Sequence, residues 1–227
     1  MQAVILAAGL GLRLRPFTEQ HPKALIPVCG TPLILHSIGR LPKSITEIVI
    51  VTGWLGEQIQ SLVGTSFNGV PVRYATQDPL NGTGGSLHAA KDLVHGQFLV
   101  LNGDDLYQQS GLETLATQST WAILATATTR PLQAALKPDS EGFVPGLVPD
   151  PSETQKFLNC GAYLTDTGFF TLPLVSIPVR DKPEYSLPHT LLQAPEMHPV
   201  KLVPATGWMP VGTPEELAKA EKIMQNV

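Results

Sequence analysis

Three stretches of this sequence combine chemically useful side chains with glycine. The first is MQAVILAAGLGLRLRPFTEQHPKALIP, residues 1–27, where an apolar run (residues 3–8) meets Gly9-Leu10-Gly11 and is followed by Arg13, Arg15 and Lys23. Glycines at such a turn let backbone N–H groups approach a phosphate closely enough to cradle it. Arg13, Arg15 and Lys23 against Glu19 give +3 − 1 = +2 locally, in a chain of formal net charge −4. Cations gathered where glycine exposes the backbone describe an anion site. The second stretch is Asn102-Gly103-Asp104-Asp105, directly after an apolar run. A magnesium ion bound to phosphate takes one or two carboxylates, phosphate oxygens and water, and Asp104 is the expected ligand. Standing alone, the same four residues would be a turn whose aspartates cap backbone amides. The third is QDPLNGTGG, residues 77–85, a glycine-rich break in regularity that begins with Gln77.

Two familiar phosphate motifs do not fit the first stretch. A dinucleotide fingerprint needs a third glycine where Leu14 stands, and a Walker-type loop needs Gly-Lys-Ser/Thr closing the turn. A solvated basic loop is the remaining plain alternative. The rest of the composition narrows the function classes. The chain has 227 residues, 43% hydrophobic and 15% charged, which is enough for one well-buried domain and too short for two full ones. Net charge −4 argues against nucleic acid, since duplex binding needs a basic face to displace counterions. Cys29 and Cys160 lie far apart with no CxxC or histidine pairing, so neither a zinc site nor a disulfide framework is suggested. The amino-terminal apolar run lacks a basic leader and is far shorter than the ~20 residues that span a bilayer. A cytoplasmic protein without membrane partners, monomeric or a small homo-oligomer, is expected.

The elements that must position these residues follow from periodicity. Residues 3–8, 47–52 (EIVIVT), 70–75 and 97–101 (QFLVL) are short apolar runs suited to buried strands. Between them, Thr31-Pro32 is expected to cap a helix with Leu33, Ile34, Ile38 and Leu41 inward. Gly53 leads into a second helix using Leu55, Ile59, Leu62 and Val63, and a third uses Leu87, Ala90 and Leu93. Strands alternating with helices predict right-handed crossovers and an α/β fold: a doubly wound, mostly parallel, Rossmann-like sheet flanked by helices in a single domain. The loops after its strands would share one rim, where open α/β sheets bind ligands. Beyond residue 121, AILATATT and FLNCGAYL (157–164) are strand candidates amid a proline-rich region of weak periodicity. Thr213-Pro214-Glu215-Glu216 predicts a capping box opening a last helix with Leu217, Ala220 and Met224 inward, and Glu215 and Lys219 as an i,i+4 pair.

LAAGLG-x-RLRP-x-T, with Pro22-Lys23 and Pro27 behind it, resembles the signature of the nucleotidyltransferases that activate sugar 1-phosphates. The resemblance spans nearly the whole chain, is densest over residues 1–105, and is strongest to the compact branch of uridylyltransferases. It implies an enzyme joining UTP or dTTP to a sugar 1-phosphate with release of pyrophosphate and with Mg2+ as cofactor. It also implies a division into a nucleotide-binding half, residues 1–105, and a sugar-binding half with the closing helix, residues 106–227. Leu6, Ala8, Gly9 and Gly11 would line the nucleotide, with Arg13 on the leaving pyrophosphate and Lys23 bridging the α-phosphate and the incoming phosphate. Gln77, Gly82 and Thr83 would hold the base, Asp104 the metal, and Asn159 and Gly161 the sugar. An amide at Gln77 matches the imide edge of uracil or thymine, and flipped it would suit cytosine; the resemblance favours the imide.

The chain departs from the family pattern at four places. Leu12 stands where a Thr or Ser would donate to phosphate, and Asn81 stands as an extra residue before Gly82-Thr83. The Glu-Lys-Pro sugar element falls on Pro149-Asp150-Pro151, and Pro210 replaces the second metal-binding aspartate of Trp-x-Asp-x-Gly-Thr. Asp181 or Glu184 could replace that carboxylate. PKALIPV and GWLGEQ also resemble phosphocholine cytidylyltransferases, and a nucleotide-binding regulator without turnover is the alternative from outside enzymology.

Overall fold

The computed structural model describes residues 1–149, 156–180 and 182–225. Four strands, β1 (Gln2–Ala7), β2 (Glu47–Thr52), β3 (Val70–Thr76) and β4 (Gln97–Asn102), form a parallel block in the order β3-β2-β1-β4. Every residue of β1 is buried because both faces of the block are covered. Ala3, Ile5 and Ala7 face one core, which takes Ile34 and Ile38 from α1 (Leu33–Gly39) and Ile59 and Val63 from α2 (Gly56–Val63). Val4, Leu6 and Ala8 face the other, filled by Leu87 of α3 (Thr83–Ala89). Burying one such aliphatic side chain contributes about 1.5–3 kcal/mol, so the continuous apolar run is what fixes β1 at the centre.

Beyond residue 102 the ladder becomes mixed. Two further strands, β5 (Trp121–Thr128) and β6 (Lys156–Asp166), pair antiparallel, and β6 also lies antiparallel to β4, while β7 (Val200–Pro204) runs parallel to β5. With Ser66–Phe67, Ala134–Leu136 and Leu147–Pro149 at its margins, the described sheet has ten strands. Helix α4 (Gln109–Ala116) adds Leu112 and Leu115 to the first core, and α5 (Leu187–Leu191) adds Leu187 and Leu191 to the second. A short antiparallel pair, Asp105–Tyr107 with Trp208–Pro210, brings the end of the chain back to β4 before α6 (Pro214–Met224). Among the described residues no helix is long and apolar enough to cross a membrane.

Several local expectations are corrected. Thr31 does not cap α1: Thr31–Pro32 pairs with Pro27–Val28 across a turn whose central residues, Cys29 (φ 49°) and Gly30 (φ 79°), both have positive φ. That geometry closes a two-residue hairpin, which claims the backbone of Thr31 and leaves Pro32 at the N-cap without a side-chain bond. Leu41 lies past the end of α1, half-buried. Helix α2 starts at Gly56, not Gly53, and its Leu62 is 44% exposed, outside the stripe formed by Ile59 and Val63. Thr213 Oγ1 does accept from Glu216 N at 3.2 Å, but Glu216 Oε2 reaches past it to Gly212 N at 2.7 Å. Glu215 is drawn to its own backbone N–H and to Thr213, which hold its carboxyl below the usual range; no ion pair joins it to Lys219 among the described residues.

Candidate active site

The carboxyl ends of β1, β2 and β4 are tied to one another by their loops. Gly103 N donates to Leu6 O at 2.9 Å and Trp54 N to Ala8 O at 3.3 Å, so the segments after all three strands meet at Leu6–Ala8. Above them opens a cleft of about 340 Å³. Leu6, Ala8, Gly9, Gly11, Arg13, Lys23, Gln77, Gly82, Thr83 and Asp104 all line it, although they come from three separate stretches of chain.

The glycine turn is built for close approach. Gly11 is left-handed (φ 62°), a conformation that L side chains rarely adopt, and an added Cβ would stand 2.8 Å from Thr18 Cγ2. Thr18 Oγ1 donates to Gly11 O at 2.9 Å and pins the turn. Around Gly9 there is open space, with no atom within 4 Å of where a Cβ would stand. The following one-turn helix, Leu12–Leu14, buries Leu14 and displays Arg13, whose Nη2 lies against Gly212, 2.6 Å from where a Cβ there would be. The Arg13 guanidinium has no hydrogen-bond or ion-pair partner among the described residues, and Leu12 beside it is 40% exposed.

Lys23 and Asp104 form an ion pair in which Nζ donates to Asp104 Oδ2, with side chains 14% and 30% exposed. Asp105 takes the opposite course. It is buried, its Oδ2 accepts from Asn102 Nδ2 at 3.4 Å and Trp208 Nε1 at 3.3 Å, and burial, reinforced by the charge of Asp104, pushes its carboxyl up to about 7. Of the two adjacent aspartates, Asp104 alone lines the cleft. Pro210 sits in register opposite Asp105, so the position that lacks a carboxylate is beside the acidic pair. One outward carboxylate suits a divalent cation that arrives with phosphate oxygens and water; no cluster of three acidic, histidine or cysteine side chains exists among the described residues to hold a metal unaided.

At the other end of the cleft, Gln77 is 7% exposed and its amide nitrogen donates to Asn81 Oδ1 at 2.9 Å and to Gly82 O at 3.0 Å. The residue that looked like an insertion, Asn81, is therefore what orients Gln77, and Gly85 makes room for it: a Cβ there would lie 1.8 Å from Asn81 Oδ1. Thr83 Oγ1 accepts from Leu187 N at 3.1 Å, tying the loop to α5.

Asn159 and Gly161 do not line the cleft. They shape an irregularity in β6, where the register with β5 shifts between Asn159 and Tyr163. Asn159 Oδ1 accepts from Gly161 N at 2.9 Å and its Nδ2 donates to Tyr163 Oη at 2.7 Å, while Gly161 (φ 69°) lies against the side chain of Asn102, which does face the cleft. Seven lining residues were not among the expected site residues: Leu10, Leu12, Leu80, Ser86 of α3, Asn102, Arg180 and Gly212. Arg180 (φ 48°) and Glu184 reach the cleft from the hairpin Ser176–Val179/Lys182–Tyr185, whose alternating prolines hide it from periodicity. Asp150 and Pro151 of the displaced sugar element, and Asp181, lie outside the described residues.

A family model described as nucleotidyl transferase matches residues 2–227. The bifunctional protein GlmU of Methanocaldococcus jannaschii is 27% identical over 225 residues, which cover 99% of this chain and 54% of that protein. The N-acetylmuramate alpha-1-phosphate uridylyltransferase of Neisseria meningitidis serogroup B is 47% identical over 111 residues, 47% of this chain and 48% of the other. Among solved structures, one provisionally described as a Bacillus anthracis glucose-1-phosphate thymidylyltransferase in complex with sucrose superposes with a TM-score of 0.84, at 24% identity, over 100% of this chain and 96% of that one. That likeness establishes the fold. The chain spans about half the length of the curated relatives it matches.

Proposed function

The chain belongs to the nucleotidyl transferase family, and from that premise we propose that it transfers a nucleotidyl group from UTP or dTTP to a sugar 1-phosphate, releasing pyrophosphate. The observation that carries this is the convergence of Gly9, Gly11, Arg13, Lys23, Asp104 and Gln77 on one cleft from separate stretches of sequence. Residues 1–105 supply the nucleotide side and residues 106–227 the sugar side and closing helix.

The acceptor phosphate has a second pKa near 6, so its attacking oxygen is already an anion at neutral pH and no general base is required. That oxygen forms a bond to the α-phosphorus of the nucleotide as the bond from the α-phosphorus to the bridging oxygen breaks, and pyrophosphate leaves with the electron pair. Backbone N–H groups of the glycine turn hold the phosphates. Arg13, unpartnered in the cleft, neutralises the leaving pyrophosphate; Lys23 moves from Asp104 to span the α-phosphate and the incoming phosphate. Fixed charges of this kind, placed where negative charge builds up, are the main source of catalysis in phosphoryl chemistry. Asp104 would hold Mg2+, which when bound offsets the charge of the triphosphate. Arg180, which lines the cleft, binds the acceptor phosphate in place of the lysine lacking at Pro149-Asp150-Pro151. Asn159 and Gly161 act on the sugar by setting the wall behind Asn102.

Pyrophosphate release from each nucleotide with a panel of sugar 1-phosphates and phosphocholine tests the proposal. Release with UTP or dTTP and a sugar 1-phosphate is expected. Release only with CTP and phosphocholine would replace it with the cytidylyltransferase, and binding without release under every pairing would replace it with the regulator.

A further inference from the structure

The Gln77 end of the cleft contains a hydroxyl that the fold does not use. Ser86 is 4% exposed and lines the cleft, and its Oγ has no hydrogen-bond partner. A serine within a helix ordinarily turns its hydroxyl to the carbonyl four residues back. Here that carbonyl is Gly82 O, which already receives Ser86 N at 2.9 Å and Gln77 Nε2 at 3.0 Å, and a carbonyl oxygen has two lone pairs. The hydroxyl is left buried at the edge of the cleft without an acceptor, because its i−4 carbonyl is occupied.

Gln77 has the complementary gap. Both hydrogens of its amide are engaged, one by Asn81 Oδ1 and one by Gly82 O. Gly82 O can only accept, which fixes the amide with nitrogen toward the loop and Oε1 at the other end. No hydrogen bond from the described residues reaches Oε1, and Gln77 lines the cleft. Gln77 therefore offers an acceptor and no donor, whereas the imide edge of uracil or thymine requires both: an acceptor for N3–H and a donor to an adjoining carbonyl.

Resting on the assignment of this end of the cleft to the nucleobase, we propose that Ser86 is a base-selecting residue whose hydroxyl donates to a ring carbonyl of uracil or thymine while Gln77 Oε1 accepts the neighbouring N3–H. The pair rejects cytosine, whose unprotonated N3 would face Gln77 Oε1 lone pair to lone pair.

The test is equilibrium binding of UTP, CTP and pyrophosphate, each with magnesium, to the unsubstituted protein, Ser86→Ala and Gln77→Ala. Ser86→Ala is expected to weaken UTP about five- to tenfold, as the loss of one neutral hydrogen bond does, and to leave pyrophosphate within about twofold. It is expected to melt no lower than the unsubstituted protein, since the change removes an unpartnered buried hydroxyl. The unsubstituted protein prefers UTP to CTP by at least about tenfold. If Ser86→Ala binds UTP as tightly as the unsubstituted protein while Gln77→Ala binds it more weakly, the base site stands and the role of Ser86 falls. If neither change affects UTP, the base assignment falls as well. Equal weakening of UTP and pyrophosphate would make Ser86 merely structural, and CTP bound as tightly as UTP would overturn the pairing. A second measurement needs no substitution: UTP carrying sulfur in place of a ring carbonyl oxygen, a poorer acceptor, binds less tightly at one of its two carbonyl positions, and no loss at either position refutes the bond.

Discussion

The phosphate wall of the cleft grows from the ends of three adjacent parallel strands, whereas the facing wall, with Arg180 and Glu184, hangs on a two-stranded hairpin. The first is pinned by Gly103 N to Leu6 O, Trp54 N to Ala8 O and Thr18 Oγ1 to Gly11 O, over a fully buried β1. The second meets the base loop through Tyr185 N to Asn81 O at 2.7 Å and Leu187 N to Thr83 Oγ1 at 3.1 Å. On the proposed function, the triphosphate, the same in every nucleotide, meets a turn pinned to the sheet, while an acceptor that differs between enzymes would meet a hairpin that can be redrawn without disturbing the sheet.

That contrast can be broken by substitution. Lys23→Ala should lower turnover by at least about 100-fold, roughly 2.7 kcal/mol of barrier, in the pyrophosphate-release assay; retention of more than a tenth of the activity would remove Lys23 from the chemistry. Gly82→Ala attacks the join between the walls. Gly82 has φ 99°, and a Cβ there would stand 2.5 Å from Tyr185 O, backbone that cannot swing aside. A loss of about 2–3 kcal/mol and a Tm lower by roughly 5–10 °C are expected, and an unchanged melt would show that the hairpin is not clamped here. Arg180→Ala should raise the KM for the sugar phosphate about tenfold with nucleotide binding intact, roughly 1.4 kcal/mol; an equal loss of nucleotide binding would place Arg180 on the triphosphate instead.

Smaller effects sharpen it. Pro210→Asp restores a carboxylate opposite Asp105 and should lower the magnesium concentration for half-maximal activity about threefold, about 0.7 kcal/mol; no change would mean that Asp104 suffices. On the hairpin side, burial holds the imidazole of His189 below its ordinary pKa, next to Ser186 Oγ at 2.7 Å. The unfolded chain then binds a proton more readily, so stability falls as pH drops below about 6.5. His189→Gln should flatten that decline by less than about 2 °C in Tm, since the ring is only partly buried, and a larger or opposite change would contradict the assigned cause.

The strands of the parallel block and the rim they define were legible from residues 3–8, 47–52 and 97–101 because a buried strand must be apolar on both faces, a demand met within the strand itself. Arg13, Lys23 and Asp104 were picked out by the glycine turn, the local charge and the family signature in the loops after those strands, and they line one cleft. What escaped was decided by distant partners. Which of Asp104 and Asp105 turns outward depends on Trp208 and Pro210, about a hundred residues away. Thr31-Pro32 has the composition of a helix start, but the positive φ of Cys29 and Gly30 makes it a hairpin arm. Ser86 looks like any helical serine until the bonds to Gly82 O are counted, and Arg180 sits between short strands with prolines at 178 and 183.

The ion pair between Lys23 and Asp104 makes the cleft a closed circuit, each partner silencing the other. A bare triphosphate would free the lysine but strand a carboxylate among phosphates, and a bare cation would do the reverse. If both bind as proposed, only the two together exchange every contact for an equivalent one, and each would raise the affinity for its companion by the same factor.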